Sequence, residues 1–277
     1  MIAARLPGDR LHLHHGPIDL IIGADGARAA AFAAAQARFS TVLQELADEL
    51  PLLRQPVGAM PMGAIARKMH AACLPHCGVF VTPMAAVAGA VAETVLAAMA
   101  VPGLRRAYVN NGGDIAVFLT PGQDFRLAMA GSDGQDRGRI TLSADSPVRG
   151  IATSGRGGRS HSLGIADQVT VVAKTAAMAD VAATLIANAV DLPAHPAITR
   201  TPANQLTPDS DLGARPVVTG LGALCPIEQR RALAKGAAVA QDMAARGLIT
   251  AAALFLGGES EIIGAPNLIE QKEPTHA

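Results

Sequence analysis

Residues 107–119 read Ala107-Tyr108-Val109-Asn110-Asn111-Gly112-Gly113-Asp114-Ile115-Ala116-Val117-Phe118-Leu119. Apolar runs on both sides of an Asn-Gly-Gly-Asp tetrad read as strand, tight glycine turn, strand. Two adjacent glycines allow positive φ or a close approach of backbone to a ligand, and Asp114 follows as an acceptor at the turn. An ordinary hairpin and a ligand-contacting turn share this spacing, so the segment carries both readings.

Working outward, the period of the apolar residues sets the fold class. Upstream, residues 10–22 read as two short strands around Gly16-Pro17, and Gly26 to Leu50 places Phe32, Phe39, Val42, Leu43, Leu46 and Leu50 at helical spacing until Pro51 stops the run. A second helix is expected over Ala59 to Cys73 and a third from Pro83 to about Met99, with Pro102-Gly103 ending it. Downstream, Phe125 to Ala130, Arg139 to Ser143 and Gln168 to Ala173 have strand character. Thr175 to Val190 is helical, as is Ile227 to Arg246, which leads into a strand over Ile249 to Leu256. Runs of helices followed by runs of strands indicate an α+β protein, a mostly antiparallel sheet packed with helices, rather than a repeating βαβ unit. The chain reads as one domain over residues 1–277, with 191–216, rich in Pro, Asp and Thr, as an irregular connection.

Composition narrows the function classes. In 277 residues, 50% hydrophobic against 17% charged content supports a substantial core and excludes disorder as the default state. Lys+Arg and Asp+Glu balance at 23 each without a basic run, aromatics are 3% and Trp is absent, so the electrostatic footprint and stacking platform of a nucleic-acid binder are both missing. Three cysteines, Cys73, Cys77 and Cys225, are too few for a disulfide scaffold and point to a reducing compartment. Pro7, Asp9 and three histidines interrupt the N-terminal stretch where a signal peptide needs an apolar run. Val79 to Val101 is Ala/Gly-rich and carries Glu93, which reads as a buried helix rather than a membrane span. The expectation is a cytoplasmic protein with neither nucleic acid nor membrane as partner. The same small-residue helix suggests close packing inside the protomer or across a homodimer.

Two further segments carry chemistry. Thr153-Ser154-Gly155-Arg156-Gly157-Gly158-Arg159-Ser160-His161-Ser162-Leu163-Gly164 offers flexible backbone N–H groups, hydroxyls and two arginines, a composition able to wrap phosphate oxygens and equally that of a surface loop. It matches neither the P-loop nor the dinucleotide fingerprint. In Ala179-Asp180-Val181-Ala182-Ala183-Thr184, Asp180 and Thr184 stand four apart, so a helix presents a carboxylate and a hydroxyl on one face. Both are hard oxygen donors of the kind Mg²⁺ accepts; a helix with Asp180 in solvent and Thr184 bonded back to a carbonyl fits the same spacing. His70, Cys73, His76 and Cys77 mimic a zinc cluster, but Pro75 and the following Gly78 break the spacing. Ser160, His161 and Asp167 form a triad only on paper, without a Gly-x-Ser-x-Gly elbow.

Together the segments resemble the ApbE-like superfamily of FAD:protein FMN transferases and, more closely, a prokaryotic branch of it known as an uncharacterised protein family. The resemblance is carried in order by Val79 to Glu93 with its Pro83-Met84-Ala85-Ala86-Val87-Ala88-Gly89 string, by Asn111 to Ile115, by Thr153 to Gly155, by Ser160 to Asp167 and by Ala179 to Thr184, and spans about residues 10–265. It implies an ApbE-like fold and a flavin nucleotide, FAD, bound with Mg²⁺. Asp180 and Thr184 would hold the metal, while Asn111, Gly112, Gly113 and Asp114, with Thr153, Ser154, Gly155, Gly157 and Gly158, would contact the nucleotide. His161 and Asp167 would be the catalytic pair, and FMN would pass to a Ser or Thr of an acceptor protein. The transferases also carry an Asp-Pro-x-Thr-Gly segment after their histidine and a Met-Gly-Thr strand; here Gly164-Ile165-Ala166-Asp167 runs directly into a strand. A non-catalytic flavin or nucleotide binder, and an enzyme acting on a small metabolite in the same cleft, are the alternatives.

Overall fold

The computed structural model describes residues 1–131, 134–265 and 269–271. In chain order the elements of the first part are β1 (Ile2–Leu6), β2 (Arg10–His15), β3 (Ile18–Gly26), α1 (Arg28–Asp48), α2 (Leu50–Leu53), α3 (Ala64–Cys73), α4 (Val87–Ala98), β4 (Leu104–Asn111) and β5 (Asp114–Leu119). There follow β6 (Asp124–Ala130), β7 (Asp136–Ser143), β8 (Gly150–Ser154), β9 (Gln168–Ala173), α5 (Ala176–Ala189), β10 (Ile198–Pro202), α6 (Ala203–Leu206), β11 (Pro216–Leu221), α7 (Pro226–Ala245), β12 (Ala251–Leu256), β13 (Glu259–Gly264) and β14 (Ile269–Gln271). The protein is α+β with antiparallel strand pairing, as the periodicity predicts. No helix among the described residues is long and apolar enough to cross a membrane.

The chain forms two compact units. The first comprises Met1–Asp124, Ser143–Ala152 and Ala173–Val181. Its strands run in the order β1-β2-β3-β4-β5-β8. Alternation sorts the side chains of β2: Leu11 and Leu13 enter the core, while His12, on the other face, pairs with Asp19 of β3 at 2.9 Å. Phe32, Phe39 and Val42 of α1, Met69 of α3 and Val91 and Val95 of α4 are fully buried, which places the apolar stripes of three helices in this unit's core. The third predicted helix begins as a 3₁₀ turn at Pro83–Ala86 before α4 proper, because proline fixes φ and lacks the N–H that a first turn leaves unpaired. The second begins at Ala64 rather than Ala59; Glu49 accepts the N–H groups of Met62 and Gly63 at 2.7 and 2.6 Å and holds the preceding segment outside the helix.

At the end of β3 the register with β4 slips between Asp25 and Gly26. Gly26 has φ +100°, and a Cβ there would lie 2.2 Å from the carbonyl oxygen of Gly103, so the bulge demands glycine. The bend aims Asp25 at Arg106, whose Nε donates at 2.6 Å, and at Arg28 at 3.2 Å. The Arg106 guanidinium holds the Asp25 carboxyl below the usual carboxylate range.

The second unit comprises Phe125–Leu142, Thr153–Val172 and Ala182–Ala277. Within it β9, β12 and β13 are adjacent, as are β14, β7 and β6. Every residue of β12 is buried, and α7 lies against it through Gly236, where a Cβ would stand 2.4 Å from Val190 and 2.9 Å from Leu254. A capping box opens α7: Glu228 accepts the backbone N–H of Cys225 at 2.7 Å, while its other oxygen meets His195 at 3.1 Å. The connection expected over 191–216 is not irregular throughout. It contains β10 and α6 and leads into β11, which pairs with β10, and Arg200 ties it down through Asp191 at 2.5 Å and the Leu163 carbonyl at 2.6 Å. Pro202 and Pro216 face each other at one end of the ladder, where proline is tolerated because it closes one strand and opens the other.

Asp25→Asn is expected to cost about 0.5–1 kcal/mol near neutral pH, the worth of a half-exposed charge-assisted hydrogen bond. A carboxyl whose folded pKa is lowered contributes stability above its ordinary pKa and loses it as pH falls through the lowered value. Urea midpoints of the two proteins should therefore converge on acidification below about pH 4, the ordinary carboxylate range.

Candidate functional site

The Asn111 to Asp114 segment is a hairpin in which Asn111 and Asp114 face each other across a two-residue turn. Gly112 and Gly113 have φ +68° and +114°, the pair of positive values that matches the right-handed twist of the flanking strands. The Gly113 N–H donates to Asn110 Oδ1 at 2.8 Å and closes the turn. Asn111 is buried, and its Nδ2 donates to the Ala88 carbonyl at 3.2 Å, which fastens the hairpin to the start of α4.

That start is where Asp180 arrives from α5. Asp180 Oδ2 accepts the N–H of Gly89 at 2.9 Å, and the Ala88 N–H adds a second hydrogen bond to the carboxylate. Ala88 and Gly89 are the second and third residues of α4, so a side chain 91 residues away supplies the cap that Ala86 cannot. The arrangement is reciprocal. Glu93 Oε1 of α4 accepts the N–H of Ala177 at 2.7 Å, and Thr175 Oγ1 accepts that of Met178 at 3.2 Å, which satisfies the first turn of α5. The two helices come close enough for this only because of Gly89: a Cβ there would lie 2.3 Å from the Ala176 carbonyl oxygen. Gly150 makes the same allowance on the strand side, 2.1 Å from Thr175.

Burial pushes the Asp180 carboxyl well above the usual carboxylate range, the charge of Asp114 pushes it further, and the N–H groups of Gly89 and Ala88 pull the other way. Asp180 is therefore not a solvated first-turn residue. It forms with Asp114 a partly desolvated pair of carboxylates beside a glycine turn and a helix N-terminus. Cys73, buried on α3 with its thiol on the Thr82 carbonyl, is raised by burial and by the charge of Asp180. Two like charges in such a place favour either a proton or a divalent cation. Among the described residues no group of three or more His, Cys, Asp or Glu could hold a metal ion, so a cation at Asp180 would complete its shell from hydroxyl, carbonyl, water or phosphate oxygen, as Mg²⁺ does. Thr184 is half-buried on α5, one helical turn after Asp180. His70 and Cys73 turn to different carbonyls, those of Gly58 and Thr82.

The other predicted residues are described within the second unit. Thr153 Oγ1 hydrogen-bonds Thr170 Oγ1 at 3.0 Å. Gly155 has φ +148°, and a Cβ there would lie 2.5 Å from the Asp167 carbonyl oxygen. The N–H of Gly158 donates back to the Gly155 carbonyl at 3.1 Å, so Ser154 to Gly158 turns tightly on itself. Asp167 holds that turn: Oδ1 takes two hydrogen bonds from Arg156, at 2.9 and 2.6 Å, and Oδ2 accepts the Gly257 N–H at 2.6 Å. His161 is exposed and pairs with Thr207 Oγ1 at 2.9 Å. His161 and Asp167 thus have separate partners and form no hydrogen-bonded pair. Glu93 and Gly89 lay outside the predicted site; the signal for Glu93 was its standing as the single charge in an Ala/Gly-rich helix.

The sequence model of the family described as AbpE bacteria matches residues 3–262. Curated relatives include a UPF0280 protein of Methanothrix thermoacetophila, 39% identical over 130 residues, which are 46% of this chain and 52% of that protein. A UPF0280 protein of Methanopyrus kandleri is 43% identical over 108 residues, 39% of this chain and 43% of that protein. The chain spans about half the length of the curated relatives it matches. Among solved structures, the apo flavinyl transferase ApbE of Pseudomonas stutzeri aligns over 96% of this chain and 95% of its own with TM-score 0.50 and 13% identity. The flavin transferase ApbE of Vibrio cholerae aligns over 96% and 99% with TM-score 0.50 and 11% identity. These likenesses show a shared fold.

Three variants test the capping geometry. Asp180→Ala leaves two helix N–H groups without their acceptor and should cost about 1–2 kcal/mol, whereas Asp180→Asn keeps an acceptor oxygen and should stay within about 0.5 kcal/mol of wild type. With divalent cations chelated, wild type should gain stability relative to Asp180→Asn as pH falls, because a raised carboxyl pKa means the folded state binds the proton more tightly than the unfolded one. Gly89→Ala, which drives a methyl into backbone, should cost about 2 kcal/mol or more. Urea denaturation followed by circular dichroism reads all three.

Proposed function

The chain belongs to the AbpE bacteria family of the ApbE-like superfamily, and from that premise we propose that it binds FAD with Mg²⁺ and transfers FMN to a Ser or Thr hydroxyl of an acceptor protein. The observation that carries this reading is the Asp114–Asp180 carboxylate pair, gathered by the Gly112-Gly113 turn against the N-terminus of α4. Proteins of the same fold from Pseudomonas stutzeri and Vibrio cholerae are flavin transferases by name, which supports the choice of ligand.

The chemistry of the donors supports the choice of metal. Asp180 is desolvated, a second carboxylate stands near it, and all the donors are hard oxygens, a combination in which a divalent cation relieves the like-charge repulsion. Asp180 and Thr184 would hold Mg²⁺, whose contribution when bound is to neutralise diphosphate charge. The N–H groups of Ala88 and Gly89 keep the Asp180 carboxylate oriented. Asn111 keeps the turn against α4. In the transfer, the acceptor hydroxyl oxygen bonds to the FMN phosphorus, the P–O bond to the AMP half breaks, AMP leaves with the bridging oxygen, and the hydroxyl proton passes to water or a base.

A second reading is favoured by one observation. The hydrogen bonds that commit Asp167 to Arg156 and Gly257, and the separate partner of His161, leave the two side chains unpaired with each other, which supports a flavin or nucleotide binder without transfer activity.

Incubation with FAD, Mg²⁺ and candidate acceptor proteins separates the two. AMP release with covalent flavin on an acceptor supports transfer; FAD binding without AMP supports the binder, and absence of FAD binding overturns both. Asp180→Asn should lower Mg²⁺-dependent FAD binding or turnover by about 100-fold, the loss expected when a charged contact is removed.

A further inference from the structure

Beside the last turns of α4 lies a cavity of about 370 Å³, within the ~300–1,000 Å³ that small-molecule sites occupy. It belongs wholly to the first unit and does not include Asp114 or Asp180. Leu96 of α4 and Val117 and Phe118 of β5 give it an apolar side. Three cations line it, Lys68 of α3, Arg149 ahead of β8 and Lys174 ahead of α5, against one carboxylate, Glu93.

Glu93 is already engaged. It caps α5 through Ala177 and meets Lys68 at 3.5 Å, so it neutralises little else. Arg149 spends Nη1 and Nη2 on the carbonyls of Ser146, Val148 and Ala144, at 2.5, 2.6 and 2.8 Å. Carbonyls orient a guanidinium without cancelling its charge. Lys174 is exposed and has no hydrogen bond or ion pair among the described residues. The cavity is thus lined by an excess of positive charge, part of it held in place by Arg149. An apolar wall completes it.

We propose that this cavity binds a phosphate monoester carried on an apolar or aromatic body. The phosphate would sit at Arg149 and Lys174, whose two charges match a dianion, and the body would cover Leu96 and Phe118. The inference stands apart from the flavin reading, since it uses none of the residues at Asp180.

Titration calorimetry of the full chain with phenyl phosphate, in a phosphate-free buffer, tests it. One saturable site is expected, with inorganic phosphate, benzoate and phenol each weaker by about tenfold or more, since each lacks either the apolar body or the second charge. Lys174→Glu, on an exposed side chain with no partner to lose among the described residues, should weaken phenyl phosphate by about tenfold or more, and Asp180→Asn should leave it unchanged. Arg149→Met should act like Lys174→Glu, with circular dichroism checking that the 144–148 segment survives. Absence of saturable binding, equal affinity for inorganic phosphate or benzoate, indifference to Lys174→Glu, or loss in Asp180→Asn would each overturn the proposal.

Discussion

The first unit depends on two helices that cap each other. Asp180 of α5 closes the N-terminus of α4, and Glu93 of α4 closes that of α5. Each helix would otherwise bury donors without acceptors, because Ala86 has no side chain able to cap and Ala177 lies in the interior. Carboxylates answer that need better than hydroxyls, since a charged acceptor also meets the positive end of the helix dipole. The cost falls on Gly89, where no side chain is tolerated, and on Asp180, which is desolvated beside Asp114.

From this packing follows an electrical division of labour. At the start of α4, two carboxylates stand next to a glycine turn, a setting that favours a proton or a divalent cation. Near the start of α5, Arg149 and Lys174 leave positive charge in excess, because the carboxylate at hand, Glu93, is committed to the helix. The same pair of caps therefore generates an acidic locality and a basic one. Asp180 serves structure and candidate function at once, and its alanine and asparagine variants are informative as a pair because only the asparagine preserves the acceptor.

Much of the fold was legible in the residues. The helix of α1 followed from its apolar spacing, and the β4–β5 hairpin from Asn111-Gly112-Gly113-Asp114, because both depend on neighbours within a few positions. The turn that closes the hairpin also carries Asp114 toward Asp180. Less legible were β10 and β11, whose ladder ends on a pair of facing prolines and is fastened by Arg200 through Asp191 and Leu163, 9 and 37 positions away. The partners of Asp167 were also hidden: its hydrogen bonds to Arg156 and to the Gly257 N–H join residues 11 and 90 positions away.

By itself the sequence determined the α+β class, the course of the principal helices, the positive-φ turn and the ordered motifs that assign the superfamily. All of these are encoded in periods and short strings, where the decisive interactions lie between near neighbours. Only the tertiary structure decided what Asp180 binds, why Gly89 must be glycine, and that Lys68, Arg149 and Lys174 line one cavity. Those outcomes rest on desolvation and on contacts between residues tens of positions apart, and neither leaves a periodic trace in the chain.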